Sequence, residues 1–465
     1  MFLSGAKILS LPDELLVELV SRCSLGDVLH LEATCRRLYR LCNNRQIWVD
    51  LLQSLDIDCA PDVPPQVSME LLSLVDLREK VKDAVTRCQA WKNPDKLQIF
   101  YDLVLRVPLP DTESDVHSSA RLLPGGAQKY LLISNSGRLE LWCLRTLSRI
   151  WNAPLLRGRN QCTSFDFELE TDGKFVTIVG EFISPEETAT YLRVLRYGFE
   201  EHSAELVYEI CLPYTNLFRL TVKNRFCIAF LSSHFQTLLV DWRKREGVFL
   251  DFVDSKGNSL NDGVRCLHIY DNHLLAAGRL PSGFSLVALQ LSTLDGHWSS
   301  SSDYRSWQTL RCDAERACAL NLSQPDGETC WMLTSRVFTP TWKKASTEMY
   351  IVAYSGSWDS PKLLSFRIHL DTSNGYLNPK LKNAIRAPTA RLPWDPHCIS
   401  NSGQVFCVRN ALRCFSLFSE AHQPLAELDM DMQQRGDCEP TVTIEPWSGA
   451  IIAYVGRTVM IFKVK

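Results

Sequence analysis

The chain has 465 residues and a formal net charge of −3, with 50 Lys and Arg set against 53 Asp and Glu along its length. No field of one sign exists that would gather nucleic acid or an anionic membrane. Hydrophobic residues make up 45%, enough for large cores, and the length suggests roughly three domains.

Cysteine is unusually frequent, with 17 residues, yet they stand singly and no C-x-x-C pair occurs. Cys143, Cys407 and Cys414 lie inside apolar runs, where a reduced thiol behaves as a small hydrophobe. A disulfide framework is excluded, and the expected compartment is reducing, cytoplasmic and/or nuclear. The opening MFLSGAKILSLPDE reaches acidic residues too soon for a signal peptide. No run approaches the roughly 18 apolar residues of a spanning helix.

In SLPDELL, Pro12 suits the first turn of a helix, because proline lacks the N–H that a first turn leaves unpaired. Asp13 and Glu14 complement the helix dipole, and Leu15, Leu16, Leu19, Val20 and Cys23 form a wide apolar face. Ser24 and Asp27 read as a capping box that opens a second helix, with Val28, Leu31, Cys35, Leu38 and Leu41 on one stripe and Arg36, Arg37 and Arg40 opposite. Asn44 can cap a short third helix bearing Ile47, Trp48, Leu51 and Leu52. Three such helices in about 45 residues cannot hide every apolar face from water, so some leucines dock either on the rest of this chain or on another protein.

The stretch LPDELLVELVSRCSLGDVLHLEATCRRLYRLCNNRQIW resembles an F-box over residues 10–52: the Leu-Pro start, Glu-Leu-Leu, the Asp of helix two, Cys-Arg-x-Leu and the closing Trp fall in order. The resemblance implies that Leu11, Pro12, Leu15, Leu16 and Leu19, with Val28, Leu31 and Trp48, bind the adaptor subunit of a cullin-RING ubiquitin ligase. Arg22 and Cys23 depart from the pattern, since the family usually keeps two larger apolar residues there.

Residues 53–96 read as a linker. Its first part, DIDCAPDVPP, has three prolines that cannot donate to a ladder. Helical spacing returns over about 67–91, with Leu71, Leu74, Leu77, Val81, Ala84 and Val85 on one face. Such a helix would act as a stiff spacer of roughly 30 Å.

From 97 to 465 the pattern is of strands and turns. Equivalent segments begin at 138 (RLELWCL), 191 (YLRVLRY), 237 (TLLVDWR), 285 (SLVALQL), 363 (LLSFRIH), 412 (LRCFSLF) and 458 (TVMIFKV), at steps of 53, 46, 48, 78, 49 and 46. Apart from the one long step, this is the repeat of a propeller blade. ISNSG occurs at both 133–137 and 399–403 and offers the positive φ of a hairpin. The long step contains TSRVFTPTWKKASTEM, read as an inserted loop.

The chain stops after the third strand of the last repeat, and the spare strand at 97–107 would complete that blade and remove an edge. The expected fold is therefore α plus all-β: a three-helix F-box, a helical linker and a seven-bladed β-propeller. It resembles WD-repeat propellers, although Trp-Asp dipeptides and Gly-His motifs are not in place. A pair of β-sandwiches is the structural alternative.

No G-x-S-x-G, phosphate loop or H-E-x-x-H motif occurs. Cys266, His268 and His273 lie close in RCLHIYDNH, but alternation makes them strand and turn residues before metal ligands. Trp358 and Asp359 in GSWDS read as a turn. The expectation is thus a non-catalytic receptor without cofactors, in which the F-box binds the adaptor and, through it, cullin, while the propeller holds an unknown protein target. The alternative is a ubiquitin-independent propeller scaffold for complex assembly, and a propeller enzyme ranks third.

Overall fold

A computed structural model describes residues 10–55, 61, 63, 69–92, 99–107, 119–124, 130–135, 137–153, 161–170, 173–184, 188–213, 216–231, 236–253, 257, 259, 266–270, 272–280, 283–300, 304–313, 319–321, 337–338, 348–357, 360–371, 376–386, 404–408, 412–416, 426–428, 441–445, 450–455 and 458–464. The linker positions 56–60, 62 and 64–65, the second ISNSG, and Trp358 and Asp359 lie outside these residues.

The N-terminal part contains α1 (Asp13–Ser21), α2 (Leu25–Thr34), α3 (Arg36–Cys42), α4 (Arg45–Ser54) and α5 (Leu74–Lys92). Pro12 stands one place before the first turn, as the N-cap with ψ 151°, and its carbonyl accepts the Leu16 N–H at 3.1 Å. Ser24 and Asp27 form a reciprocal capping box, and the Asn44 side chain accepts from the Gln46 N–H. The helix expected from Val28 to Leu41 is two helices, because Cys35 is extended (φ −157°, ψ 161°). The F-box region therefore has four helices rather than three. A straight helix from Leu25 to Cys42 would run about 27 Å, far past α1; the break lets Leu38 and Leu41 pack on Leu16 while Val28 joins a separate core.

That second core explains where much of the surplus apolar surface goes. Trp48, Ile47, Leu51 and Leu52 of α4 meet Val20, Val28 and Cys42, and Leu77 and Val81 of α5 close over them. The buried indole N–H of Trp48 donates to the Cys42 carbonyl at 2.7 Å. Val63 joins the same cluster. Helix α5 begins at Leu74 instead of about 67, behind a second capping box between Ser73 and Asp76. It is a fifth wall of the helical core and not the free spacer its periodicity suggests.

The remaining strands fall into seven sheets among the described residues. Strand β1 (Ile99–Arg106) precedes the first, which holds β2 (Ser119–Leu122), β3 (Tyr130–Asn135), β4 (Arg138–Cys143) and β5 (Ser148–Asn152). The second holds β6 (Gln161–Leu169), β7 (Phe175–Ser184), β8 (Ala189–Gly198) and β9 (Ser203–Pro213). The third holds β10 (Leu217–Lys223), β11 (Phe226–Leu231), β12 (Gln236–Asp241) and β13 (Glu246–Val253). The fourth begins with β14 (Cys266–Tyr270), β15 (His273–Leu280) and β16 (Gly283–Gln290); β17 (Thr309–Asp313) intervenes before its last strand, β18 (Ala319–Asn321). The fifth holds β19 (Val337–Phe338), β20 (Glu348–Ser357), β21 (Ser360–Asp371) and β22 (Tyr376–Arg386). The sixth holds β23 (Gln404–Val408), β24 (Leu412–Ser416) and β25 (Ala426–Leu428), and the seventh β26 (Thr441–Ile444), β27 (Ile451–Val455) and β28 (Thr458–Val464).

The seven repeat segments of the sequence fall on β4, β8, β12, β16, β21, β24 and β28. Each pairs with the strand before it across a hairpin, and Gly137, at φ 79°, makes the sharp approach to Gln161 that the first ISNSG requires. Strand β1 pairs antiparallel with β28, from Ile99 opposite Val464 to Arg106 opposite Thr458. Leu105, Ala120, Leu131, Trp142, Ile452 and Ile461 form one cluster between the first and seventh sheets. The Thr443 hydroxyl donates to the Ala120 carbonyl at 2.6 Å, and the Tyr454 hydroxyl to Asn135 Oδ1 at 3.2 Å.

Carboxylates stitch the second sheet to the third. Strand β10 has a ladder partner on one side only, so its outward N–H groups need other acceptors. Glu181 accepts the Leu217 N–H, Asp166 the Val222 N–H at 3.0 Å, and Glu168 the Asn224 N–H together with the Lys223 ammonium. Asp166 also accepts from Arg121 at 3.0 Å, so one carboxylate joins the first strands of three sheets. Burial drives the Asp166 carboxyl upward, against the opposing pull of Arg121 and the Val222 N–H.

The long step has a different origin from the one its sequence suggests. Val337 and Phe338 are β19, opposite Ile351 and Tyr350, so 334–349 is not a single loop. The extra chain enters after β16, and its described residues, 291–300 and 304–313, reach the third sheet, where β17 pairs parallel with β13. Trp307 lies so close over Gly247 that a Cβ there would meet its ring at 2.1 Å. Trp298 stacks on Phe226 at 6.0 Å. The places of these rings were opaque as sequence because their partners sit 60 and 72 residues upstream.

Candidate adaptor-docking surface

Helix α1 carries a wide apolar face opposite Glu14, Glu18 and Ser21, and the two halves of that face have different fates. Leu16 and Val20 are buried, whereas Leu15 and Leu19 are 48% and 47% exposed and Pro12 is exposed. Spacings of three and four residues align Pro12, Leu15 and Leu19 on one stripe. Leu11 and Leu31 are half-buried against the Leu16, Leu38 and Leu41 cluster.

Three of the residues expected to contact an adaptor do not reach the surface. Leu16, Val28 and Trp48 are almost completely buried inside this chain's own helices. The resemblance marks them because the motif records core positions as well as contact positions. Removing them from water is already accomplished within the fold, so they shape the surface without forming it.

Arg37 fixes the start of α1. It donates to the Leu11 carbonyl at 2.8 Å and through Nε and Nη2 to Asp13 Oδ1 at 3.0 and 2.6 Å. From the sequence, Arg37 was only one of three arginines on a polar face; the link to Asp13 spans 24 residues. Tyr39 was also missed, and it is 53% exposed on α3. An aromatic ring interrupting the run Arg36, Arg37 and Arg40 was the available signal. At the other end of α1, Arg22 pairs with Glu18 at 2.7 Å and the Cys23 thiol donates to the Leu19 carbonyl at 3.3 Å.

Helix α5 covers the opposite side. Arg78 donates to both Glu32 oxygens at 2.8 Å and to Asn43 Oδ1 at 2.6 Å, and its guanidinium lies 4.9 Å from the Trp48 ring centre. Arg45 donates to the Met69 carbonyl at 2.6 Å, holding the turn that leads into α5. The helical unit is thus closed by its own chain along α2 and α4 and left apolar along one side of α1.

Among the described residues no group of His, Cys, Asp and Glu could hold a metal ion. His268 faces Leu275 across the β14–β15 ladder, and His273 faces Tyr270. No helix among the described residues is long and apolar enough to cross a membrane.

Residues 8–54 match the F-box-like family. The strand region is similar to the β-propeller domain of Cps50 (Swd1) from Myceliophteria thermophila, at 13% identity and a TM-score of 0.51, covering 79% of this chain and all of that one. The WD40 domain of SCAP from fission yeast matches at 10% identity and a TM-score of 0.44, over 79% of this chain and 98% of that one. Hsv2 of Kluyveromyces lactis matches at 10% and 0.39, over 72% and 93%. No curated protein sequence matches the chain.

These observations define an F-box-like domain at residues 8–54 and, beyond it, a strand region with the β-propeller fold. In this chain, an F-box-like domain of four short helices is followed by a closing fifth helix and then by a β-propeller.

Proposed function

We propose that this chain is the substrate-recognition subunit of an SCF-type cullin-RING ubiquitin ligase. The observation that carries the proposal is the stripe of Pro12, Leu15 and Leu19, left in water on α1 although α5 covers the other side of the same helical unit. Docking each of these half-exposed leucines on an adaptor would stabilise the complex by about 1 to 1.5 kcal/mol, half the value for full burial from water. Leu11, Leu31 and Tyr39 would flank the contact, and cullin would be reached through the adaptor.

The propeller then holds the target. Seven sheets, with β1 added beside β28, support a ring of seven blades from 97 to 465 whose two ends of chain share one blade. That closure would hold the recognition face rigid at a fixed distance from the transferred ubiquitin. The chain itself would perform no chemistry and require no cofactor. Nine cysteines among the described residues are free thiols, which supports a reducing cytoplasmic or nuclear setting.

The test is co-expression of the Leu15→Lys, Leu19→Lys double variant with the adaptor. Loss of the adaptor from a chain with unchanged circular dichroism supports the reading; retained stoichiometric adaptor contradicts it and favours a ubiquitin-independent scaffold.

A further inference from the structure

The turns joining the third and fourth strands of the first three sheets are built alike. An apolar residue follows the third strand (Leu144, Phe199, Trp242), two residues project, and a third has positive φ: Leu147 at 53°, His202 at 51° and Arg245 at 59°. They lie at one end of the sheets. Tyr130, opposite Cys143 at the end of β4, stacks on Phe199 at 4.7 Å. Glu170, after β6, pairs with Arg196 of β8 at 2.7 Å and also feels Arg243 of the third turn.

Their charges differ sharply. The first turn projects Arg145 and Thr146, the second Glu200 and Glu201, and the third Arg243 and Lys244 followed by Arg245. Four cations around this end each meet a carboxylate: Lys174 meets Glu200 at 3.1 Å, Arg196 Glu170, Lys223 Glu168 at 2.5 Å, and Arg225 Asp241 at 3.1 Å, whereas Arg145 of the first turn stands as a single exposed cation beside Thr146. Arg243, Lys244 and Arg245 are exposed and form no ion pair with a described carboxylate. The turn is nonetheless held in shape, because the buried Asp241 accepts the Lys244 N–H at 3.1 Å and Arg243 lies 5.1 Å from the Trp242 ring centre.

Three adjacent cations repel one another, and the last occupies a conformation that favours glycine. Both costs persist in a turn braced by a buried carboxylate. We propose that Arg243, Lys244 and Arg245 form a preorganised rim site for a carboxylate-rich peptide segment of the bound target, a proposal that rests on the reading that the propeller holds the target. Clustered arginines recognise acidic segments through charge-assisted hydrogen bonds. The neighbouring Glu200 and Glu201 would repel an acidic run that strayed toward the second sheet, so they set its direction along the rim.

The test uses the full chain and a fluorescein-labelled octaglutamate peptide, followed by anisotropy at about 50 mM salt, where screening is weak. The variant is Arg243→Gln, Lys244→Gln, Arg245→Gly, whose glycine relieves the positive φ and so preserves the turn. We expect saturable binding by the parent, weakened at least about tenfold in this variant and unchanged in an Arg36→Gln, Arg40→Gln control. A Glu200→Gln, Glu201→Gln variant should bind the peptide more tightly. Equal binding by parent and triple variant, or no binding by the parent, overturns the proposal. Adaptor co-purification with the triple variant separates the two readings: an intact adaptor complex with parent-like peptide binding removes the rim site alone, and a parent that fails to take up adaptor removes the ligase reading alone.

Discussion

Arg78 of α5 forks the Glu32 carboxylate of α2 through two hydrogen bonds of 2.8 Å while its guanidinium lies over the Trp48 ring. Both partners are largely shielded from water. This one side chain fastens the fifth helix to the F-box-like domain, so a segment that reads as a linker is part of the folded unit. Arg78→Ala leaves Glu32 without its cation and should destabilise the helical unit by about 2 kcal/mol. Urea unfolding followed by helical circular dichroism measures it; an unchanged midpoint would mean that α5 is not fastened there.

The exposed and buried leucines of α1 should separate cleanly. Leu15→Ala and Leu19→Ala should leave thermal stability within about 0.5 kcal/mol of the parent, because their side chains already meet water. Leu16→Ala should cost about 2 to 5 kcal/mol by leaving a cavity against Leu38 and Leu41. Calorimetry on the three single variants tests the assignment of faces independently of any partner.

Glu181 gives the propeller a pH dependence. It is buried, its oxygens accept only from the Thr163 hydroxyl and the Leu217 N–H among the described residues, and burial pushes its carboxyl from 4.5 up to about 7. The folded state therefore holds this proton over a range in which the unfolded chain has released it. The resulting stabilisation is complete below about pH 4.5, falls as pH rises, and is gone above about 7, amounting to on the order of 3 kcal/mol. Glu181→Gln mimics the protonated form, so its melting temperature relative to the parent should rise between pH 5.5 and 8. A difference that stays flat across that range would show that Glu181 is already ionised without cost.

The docking of residues 304–313 on the third sheet depends on a missing side chain. Gly247 lets Trp307 rest on the β12–β13 hairpin, and the Phe249 ring lies 5.7 Å from Trp307. Gly247→Ala should displace the indole and cost about 1 to 3 kcal/mol through overpacking. Faster exchange of the Phe249 amide, which donates to the Gln308 carbonyl at 3.1 Å, would report the loosened β17. Exchange and stability equal to the parent would place the ring elsewhere.

Much of this organisation was legible because it is periodic. Apart from the one long step, the third-strand segments from RLELWCL to TVMIFKV repeat at nearly constant intervals, because each is a short apolar run that holds the same place in its sheet. Ser24, Asp27 and Asn44 were legible because capping is local in sequence. The break at Cys35 was not, since the stripe from Val28 to Leu41 continues through it and only the competing demands of two cores bend the chain. Burial of Leu16, Val28 and Trp48 was hidden for a related reason: an apolar residue looks the same whether its partner is its own chain or another. The Arg37–Asp13 and Glu181–Leu217 links, and the return of β17 to β13, join residues far apart in sequence, and no local pattern announces them.

The stripe on α1 is tested most directly by size exclusion with mass detection of the full chain mixed with purified F-box adaptor and cullin. The account predicts a stoichiometric ternary complex that the Leu15→Lys, Leu19→Lys double variant cannot enter. A well-folded chain that elutes alone at every protein ratio would contradict it.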